Sequence, residues 1–233
     1  MHPAGYYENA RPELLSLFTR EPRRLLDVGC GAGAASAEAK RRWPSVTTIG
    51  IEVVDQAAGQ AKAILDRVVV GSAEALDFSG QGIADIDAVL LGDVLEHMVD
   101  PWTFLRKLRG VLTPDATIAA SIPNVANIWL IEELAAGRFV YEDEGLLDAT
   151  HLRFFTRTTI ERMFLDNGYR IGALQRVLGG RENDILRNRI TGSVWPQWIL
   201  RRMKARRVTI GGVGREQFDD LRTIQYLIRA TPA

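Results

Sequence analysis

The sequence predicts an α/β fold, a mostly parallel sheet with helices on both faces, and three observations carry that expectation. Short apolar runs of strand character alternate with longer runs of helical periodicity from Arg23 to about Ile122. The first of them, "RRLLDVGCGAG", closes on a glycine-rich turn of the kind that joins a strand to a helix at a ligand site. The chain has 233 residues, 46% hydrophobic and 25% charged, which suits a single domain able to bury a proper core without disulfides or structural metal.

Each element can be justified in turn. A first helix is expected over about residues 8–19, with Pro12 acceptable in its opening turn. "RLLDV" reads as a strand, and "GAASAEAKRRW" as a helix stopped near Pro44. "TTIGIEV", "DQAAGQAKAIL" and "RVVVG" continue as strand, helix and strand. "IDAVLLGD" is a buried strand, and "DPWTFLRKLRGVL" a helix with Asp100 as N-cap and Pro101 in its first position. "ATIAASI" is a further strand. Such strand–helix–strand repetition implies right-handed crossovers and a parallel sheet. Beyond Pro123 the rhythm loosens into a helix near 125–136 that ends at Gly137, then the irregular "RFVYEDEGLLDATHLRFF". Thr158 and Glu161 have capping-box spacing at the start of another helix, which Gly168 ends. "YRIGALQRVL" and the terminal "TIQYLIRA" are strands, separated by a basic stretch over about 179–219.

Composition narrows the function classes. Lys and Arg balance Asp and Glu at 29 each, so the whole molecule has no strong bias toward nucleic acid or membranes, and no nucleic-acid partner is expected. The single cysteine, Cys30, cannot form an internal disulfide or a thiolate zinc cage, which fits a reducing compartment. The N-terminus lacks a basic region followed by an apolar one, and no window approaches eighteen uninterrupted apolar residues. A cytoplasmic location is the expectation.

The glycine turn poses a chemical question. Glycine loops after a strand usually cradle phosphate with backbone N–H groups, yet Asp27 stands just before this one, where an anion repels phosphate. Gly29, Gly31 and Ala34 also satisfy the dinucleotide pattern G-x-G-x-x-G/A, which is weak on its own. Three features favour S-adenosylmethionine, which carries a sulfonium, an ammonium group and no phosphate. Asp27 suits a cationic ligand. Glu52, ending the second strand, is placed to accept both ribose hydroxyls, a feature shared with NAD enzymes. The chain also offers no obvious second catalytic domain.

The segments "LLDVGCGAG", "IGIEVV", "VVGSAEALDF", "LLGDVLEHMVDPW" and "SIPNV" together resemble the class I S-adenosylmethionine-dependent methyltransferases, over about Tyr6 to Leu178 and the final strand. The resemblance implies a Rossmann-like seven-stranded sheet of order 3-2-1-4-5-7-6 with an antiparallel last hairpin. It also implies that Asp27, Gly29, Gly31 and Gly33 line the methionine moiety and that Glu52 holds the ribose. Ser72 stands where the family often has an acid facing the adenine, so Ser72 with the Ala73 N–H is the candidate adenine contact.

A second group of candidates lies in "GDVLEHMVDP". Asp93, Glu96 and His97 follow the fourth strand at the carboxyl edge where α/β sheets bind ligands, and a helical turn there puts all three on one face. Asp93 is a candidate for the cofactor side. Asp93, Glu96 and His97, with the later His151, resemble the metal site of some small-molecule and RNA 2′-O-methyltransferases of this class, with Asp where those enzymes generally have Glu. The other reading makes Asp93 a turn cap, Glu96 a local hydrogen-bonding partner and His97 a pocket wall, with no metal; a divalent cation is not the favoured reading. His97 and His151 are the candidate catalytic bases, since imidazole is poised near neutral pH.

The string "THLRFFT", containing His151, looks like a methyltransferase subgroup associated with bacterial glycan and cell-surface polysaccharide pathways, which implies a small-molecule or saccharide acceptor. In the basic stretch, Trp195 and Trp198 interleave with Arg201, Arg202, Lys204, Arg206 and Arg207, a pattern compatible with peripheral membrane contact, a substrate lid, an oligomer contact or an ordinary helix. Two rivals to a methyltransferase stay open at this level: a non-catalytic binding protein that keeps the fold, and an NAD-dependent oxidoreductase.

Overall fold

The computed structural model of the chain describes residues 10–179 and 215–233. Along these, the elements are α1 (Pro12–Leu15), β1 (Arg24–Val28), α2 (Ala34–Arg42), β2 (Thr47–Glu52), α3 (Asp55–Ala61), β3 (Arg67–Val70), β4 (Ile86–Gly92), a 3-10 turn (Leu95–His97), α4 (Pro101–Arg109), β5 (Leu112–Pro123), α5 (Ile128–Ala135), α6 (Arg157–Leu165), β6 (Tyr169–Leu178), α7 (Arg215–Arg222) and β7 (Thr223–Pro232).

The seven strands form one sheet of order β3-β2-β1-β4-β5-β7-β6. β1 pairs in parallel with both β2 and β4, and β7 runs antiparallel between β5 and β6. The central strands are buried on both faces, which is why "LLDV" and "IDAVLLG" read as near-continuous apolar runs. Alternation along each strand divides the core. Leu26, Val28, Val89 and Leu91 pack on one face with Phe104, Leu108 and Phe164, whereas Leu25 and Leu90 pack on the other with Leu14, Leu15 and Ala39. Strand order reverses beside β1, so the ends of β1 and β4 flank the crevice in which open α/β sheets hold ligands.

Local boundaries differ from the sequence reading where side chains claim the backbone. α1 is a single turn, preceded by Arg11 in a left-handed conformation at φ 48°. α6 is capped by Thr156 and Thr159, not by Thr158 and Glu161: the Thr156 N–H donates to Thr159 Oγ1 at 2.8 Å, and Glu161 pairs with Arg157 at 2.9 Å instead. Asp100 caps α4 as expected, accepting from the Thr103 N–H at 3.0 Å. α5 opens at Ile128, after Asn127 accepts the Trp129 N–H at 2.9 Å. Most of the basic stretch, 180–214, with its tryptophans, lies outside the described residues. Among those described, no helix is long and apolar enough to cross a membrane.

Candidate functional site

The loop after β1 is held by its own amides. Gly29 and Cys30 both donate to the Ile51 carbonyl, at 2.8 and 3.1 Å, and Gly33 donates to the Cys30 carbonyl at 2.8 Å. The Gly31 N–H donates to Glu52 Oε2 at 2.9 Å, and the Val54 N–H to Glu52 Oε1 at 2.8 Å. The Gly29, Cys30, Gly31 and Gly33 amides are thereby committed within the protein and are not free to join an anion nest. Gly29 sits at φ 68°, and a Cβ there would lie 2.9 Å from Val94 Cγ2, so both backbone and space call for glycine.

Asp27 is buried at the end of β1 and accepts from Ser36 Oγ at 2.6 Å. Burial pushes its pKa up to about 6, with the Ser36 hydrogen bond working against that rise. Burial also pushes the Cys30 thiol up, which makes it a poor nucleophile at neutral pH. Asp27, Gly29, Gly31, Glu52, Val53 and Val54 line a cleft of about 290 Å³ at this edge of the sheet.

Beyond β4 the chain turns sharply, and the three expected face-mates separate. Asp93 has φ 54°, which takes it out of the following 3-10 turn. Its carboxylate accepts from Ser121 Oγ at 2.7 Å and from Gln225 Nε2, and pairs with the Arg11 guanidinium at 2.6 Å. The sequence-level grouping of Asp93 with Glu96 and His97 is thereby corrected, because left-handed backbone at Asp93 and three partners from other elements turn its carboxylate elsewhere.

Glu96 and His97 meet His151 instead. The Glu96 carbonyl accepts the N–H groups of Leu152 and Arg153, at 2.8 and 2.9 Å, and this pairing docks the irregular segment against the 3-10 turn. The His97 and His151 rings then lie 4.8 Å apart, edge to face, and ligating atoms of Glu96, His97 and His151 fall within 4.8 Å of one another. His97 Nδ1 lies 3.2 Å from the Thr150 carbonyl and 3.1 Å from Thr150 Oγ1, whose own proton goes to Asp148 at 2.6 Å. Glu96 is 1% exposed, and neither carboxyl oxygen has a hydrogen-bond partner among the described residues. Burial drives its pKa well above the usual carboxylate range, and nearby Asp93 adds to the rise. Burial and the neighbouring His97 lower the pKa of His151, opposed by Asp148.

These groups line a second cavity of about 330 Å³, with Trp129, Glu142 and Asp148 on its other sides. Arg11, Asp93 and His97 line both cavities and form the wall between them. The structure thus brings Asp27, Gly29, Gly31, Glu52, Asp93 and His97 to the first cavity, and Glu96 and His151 to the second. Gly33 shapes the turn into α2 and lines neither. Nor do Ser72 and Ala73: the Ser72 carbonyl accepts the Ala75 and Leu76 amides, and Ala73 belongs to the core. Glu74 has a structural task, accepting the Val99 and Asp100 N–H groups at 3.0 and 2.7 Å ahead of α4. Sequence reasoning missed Arg11, whose only signal was a cation next to a helix-opening proline.

A family model described as a methyltransferase domain matches residues 5–174. The trans-aconitate 2-methyltransferase of Methylobacterium radiotolerans is 31% identical over 120 residues, 50% of this chain and 45% of that protein. The ubiquinone biosynthesis O-methyltransferase of Bradyrhizobium diazoefficiens is 30% identical over 152 residues, 62% of this chain and 57% of that one. The chain spans about half the length of these curated relatives. A SAM-dependent methyltransferase structure from Archaeoglobus fulgidus superposes with a TM-score of 0.62 at 17% identity, covering 95% of this chain and 91% of that one. By its family model and its sheet order, the chain belongs to the methyltransferase-domain family and has the fold of the class I S-adenosylmethionine-dependent methyltransferases.

Proposed function

We propose that the chain transfers the methyl group of S-adenosylmethionine to a hydroxyl oxygen of a small or glycan-type acceptor. One observation carries the reading: two cavities meet at a wall of Arg11, Asp93 and His97, the first lined by carboxylates and committed amides, the second by an acid–histidine cluster. In this reading the cofactor lies in the first cavity, its ammonium toward Asp27 and its ribose hydroxyls toward Glu52. Each Glu52 oxygen accepts one amide and keeps lone-pair capacity for one hydroxyl more. Four loop amides, of Gly29, Cys30, Gly31 and Gly33, are spent on Ile51, Glu52 and Cys30, and the carboxylate of Glu52 stands among them, which favours a ligand without phosphate over a dinucleotide.

The transfer is an in-line displacement at carbon. The bond from acceptor oxygen to methyl forms as the methyl–sulfur bond breaks, the sulfur keeps that electron pair as a neutral thioether, and the hydroxyl proton leaves. Positioning and exclusion of water supply much of such a rate enhancement. A hydroxyl also needs its proton removed or its pKa lowered, and both tasks fall to the cluster around His97 and His151. The ubiquinone O-methyltransferase relative and the "THLRFFT" resemblance support oxygen as the acceptor atom, whereas the trans-aconitate relative has an acid in its name.

Incubation with S-adenosylmethionine and separate pools of saccharides, quinone precursors, carboxylic acids and RNA, read by mass spectrometry, tests the proposal. Gain of one methylene unit on a hydroxyl compound, reduced about 10²- to 10⁴-fold in His97→Ala or His151→Ala with unchanged cofactor affinity, is the expected result. Methylation confined to carboxylates or RNA would overturn the acceptor assignment. No product from any pool would favour a binding protein that keeps the fold.

A further inference from the structure

We infer that the second cavity selects a hydroxyl acceptor carrying a positive charge, such as an amino sugar or another hydroxylated amine, with Glu142 and Asp148 as the selecting carboxylates. That this molecule is methylated rests on the hydroxyl-methylation reading; its capture in the cavity does not.

The charges around the cavity are unbalanced. Its lining holds four carboxyl groups, those of Asp93, Glu96, Glu142 and Asp148, against a single guanidinium, that of Arg11. Asp93 pairs with that guanidinium at 2.6 Å, so the two largely cancel for a ligand. Neither Glu142 nor Asp148 has a Lys or Arg partner among the described residues. The Glu142 N–H donates to the Leu147 carbonyl and the Ala149 N–H to the Glu142 carbonyl, each at 2.9 Å, a bridge that holds Glu142 beside Asp148. Burial raises the pKa of Asp148, but the Thr150 hydroxyl and amide, donating at 2.6 and 2.7 Å, more than offset the rise and hold it below the ordinary carboxylate value. The cavity is thus negative at neutral pH, and a concave site lined by one sign of charge concentrates ligands of the other.

Two further observations point to a ligand rather than to a solvated acidic face. Glu96 lines the same cavity at 1% exposure with neither oxygen partnered among the described residues, and a buried carboxyl in that state calls for donors from a ligand. A hydroxyl or ammonium group brings such donors, whereas a carboxylate or phosphate brings only acceptors. Trp129 also lines the cavity, and among the described residues no Lys or Arg lies over its ring. An indole beside carboxylates favours an ammonium group over a neutral group of the same shape. Glu142, Asp148 and Trp129 do not line the first cavity, so they are not needed for the charge of a cofactor bound there.

The test uses two matched series in which charge is the main difference: glucosamine, glucose and glucuronate, and ethanolamine, ethylene glycol and glycolate. Each compound is titrated into the full chain with and without S-adenosylhomocysteine, and binding is read from chemical shifts of the protein in NMR spectra. The amine should bind about tenfold or more tighter than its neutral counterpart, and the anion weakest. Glu142→Gln, at an exposed side chain, should narrow this preference about threefold or more, as should Asp148→Asn. Circular dichroism melts establish that each variant is folded. No saturable amine binding in either series overturns the proposal, as does equal binding of amine and neutral compound, or a preference unchanged in both variants. Loss of amine binding when S-adenosylhomocysteine is added would place the amine in the first cavity and overturn it as well. Selective amine binding with no hydroxyl methylation in any pool would remove the acceptor reading and leave the site. Hydroxyl methylation confined to uncharged or anionic compounds, with no preference for amines, would remove the site and leave the acceptor reading.

Discussion

Asp27 is a buried carboxyl that lines the cleft proposed for the cofactor, and its burial works against the folded state once it is ionised. Its pKa is raised to about 6 by burial, so the folded state binds a proton that the unfolded chain releases near pH 4. The resulting stabilisation is fully present below about pH 4 and is lost as pH rises through 6, a loss on the order of 2–3 kcal/mol in the cofactor-free protein. Thermal melts at pH 4.5 and 6.5 should show this decline in the wild type and a smaller one in Asp27→Asn. Cofactor binding should have the opposite slope, because an ammonium group prefers ionised Asp27. S-adenosylhomocysteine affinity should fall by up to about tenfold per pH unit below 6 in calorimetry, and a flat profile would place the ammonium elsewhere. Glu52 carries a second expectation. Charge-assisted hydrogen bonds from the ribose contribute roughly 1.5–3 kcal/mol each before desolvation, so Glu52→Ala should weaken cofactor binding about tenfold or more in the same measurement. Both acids were legible in sequence because strand ends beside a glycine turn are fixed by the fold. Arg11 was not, because its place depends on a left-handed residue before a single helical turn.

At the scale of elements, the contacts that the segment between α5 and α6 makes with the 3-10 turn and the start of α4 bring His151 to its place. Besides the two amides on the Glu96 carbonyl, the Arg153 guanidinium donates to the Val99 carbonyl through Nε at 2.9 Å and lies over Trp102, 5.9 Å from the ring centre. Arg153→Ala should therefore lower turnover about tenfold, with S-adenosylhomocysteine affinity changed less than about twofold, since only the acceptor side loses its support. Equal loss in both measurements would mean that the segment also shapes the cofactor cleft. The "SIPNV" string acquires a physical reason here. Asn124 and Asn127 are fully buried, and both donate to the Thr223 carbonyl, at 2.9 and 3.1 Å, which fixes the entry to α5 against the start of β7. Periodicity could not show this, nor the true cap of α6, because Thr156 and Thr158 lie two residues apart with similar capping chemistry. Which of them caps is decided by where Phe155 packs into the core.

For the whole molecule, the alternation of strand and helix was enough to read a parallel α/β sheet, while the order of its strands came through the family resemblance and is now seen directly. Period and composition cannot say which strands are neighbours. That order places the ends of β1 and β4 side by side, and so sets the two cavities against one wall. The acid–histidine cluster was legible as residues but not as a set, since backbone geometry at Asp93 and docking of the later segment chose its members. Calorimetry of the purified chain against S-adenosylhomocysteine and against NAD, repeated with Glu52→Ala, tests the central claim most directly. One S-adenosylhomocysteine bound per chain, at an affinity lowered about tenfold or more by the substitution and with no heat from NAD, is the expected result. Binding of NAD alone, or S-adenosylhomocysteine binding indifferent to Glu52, would contradict it.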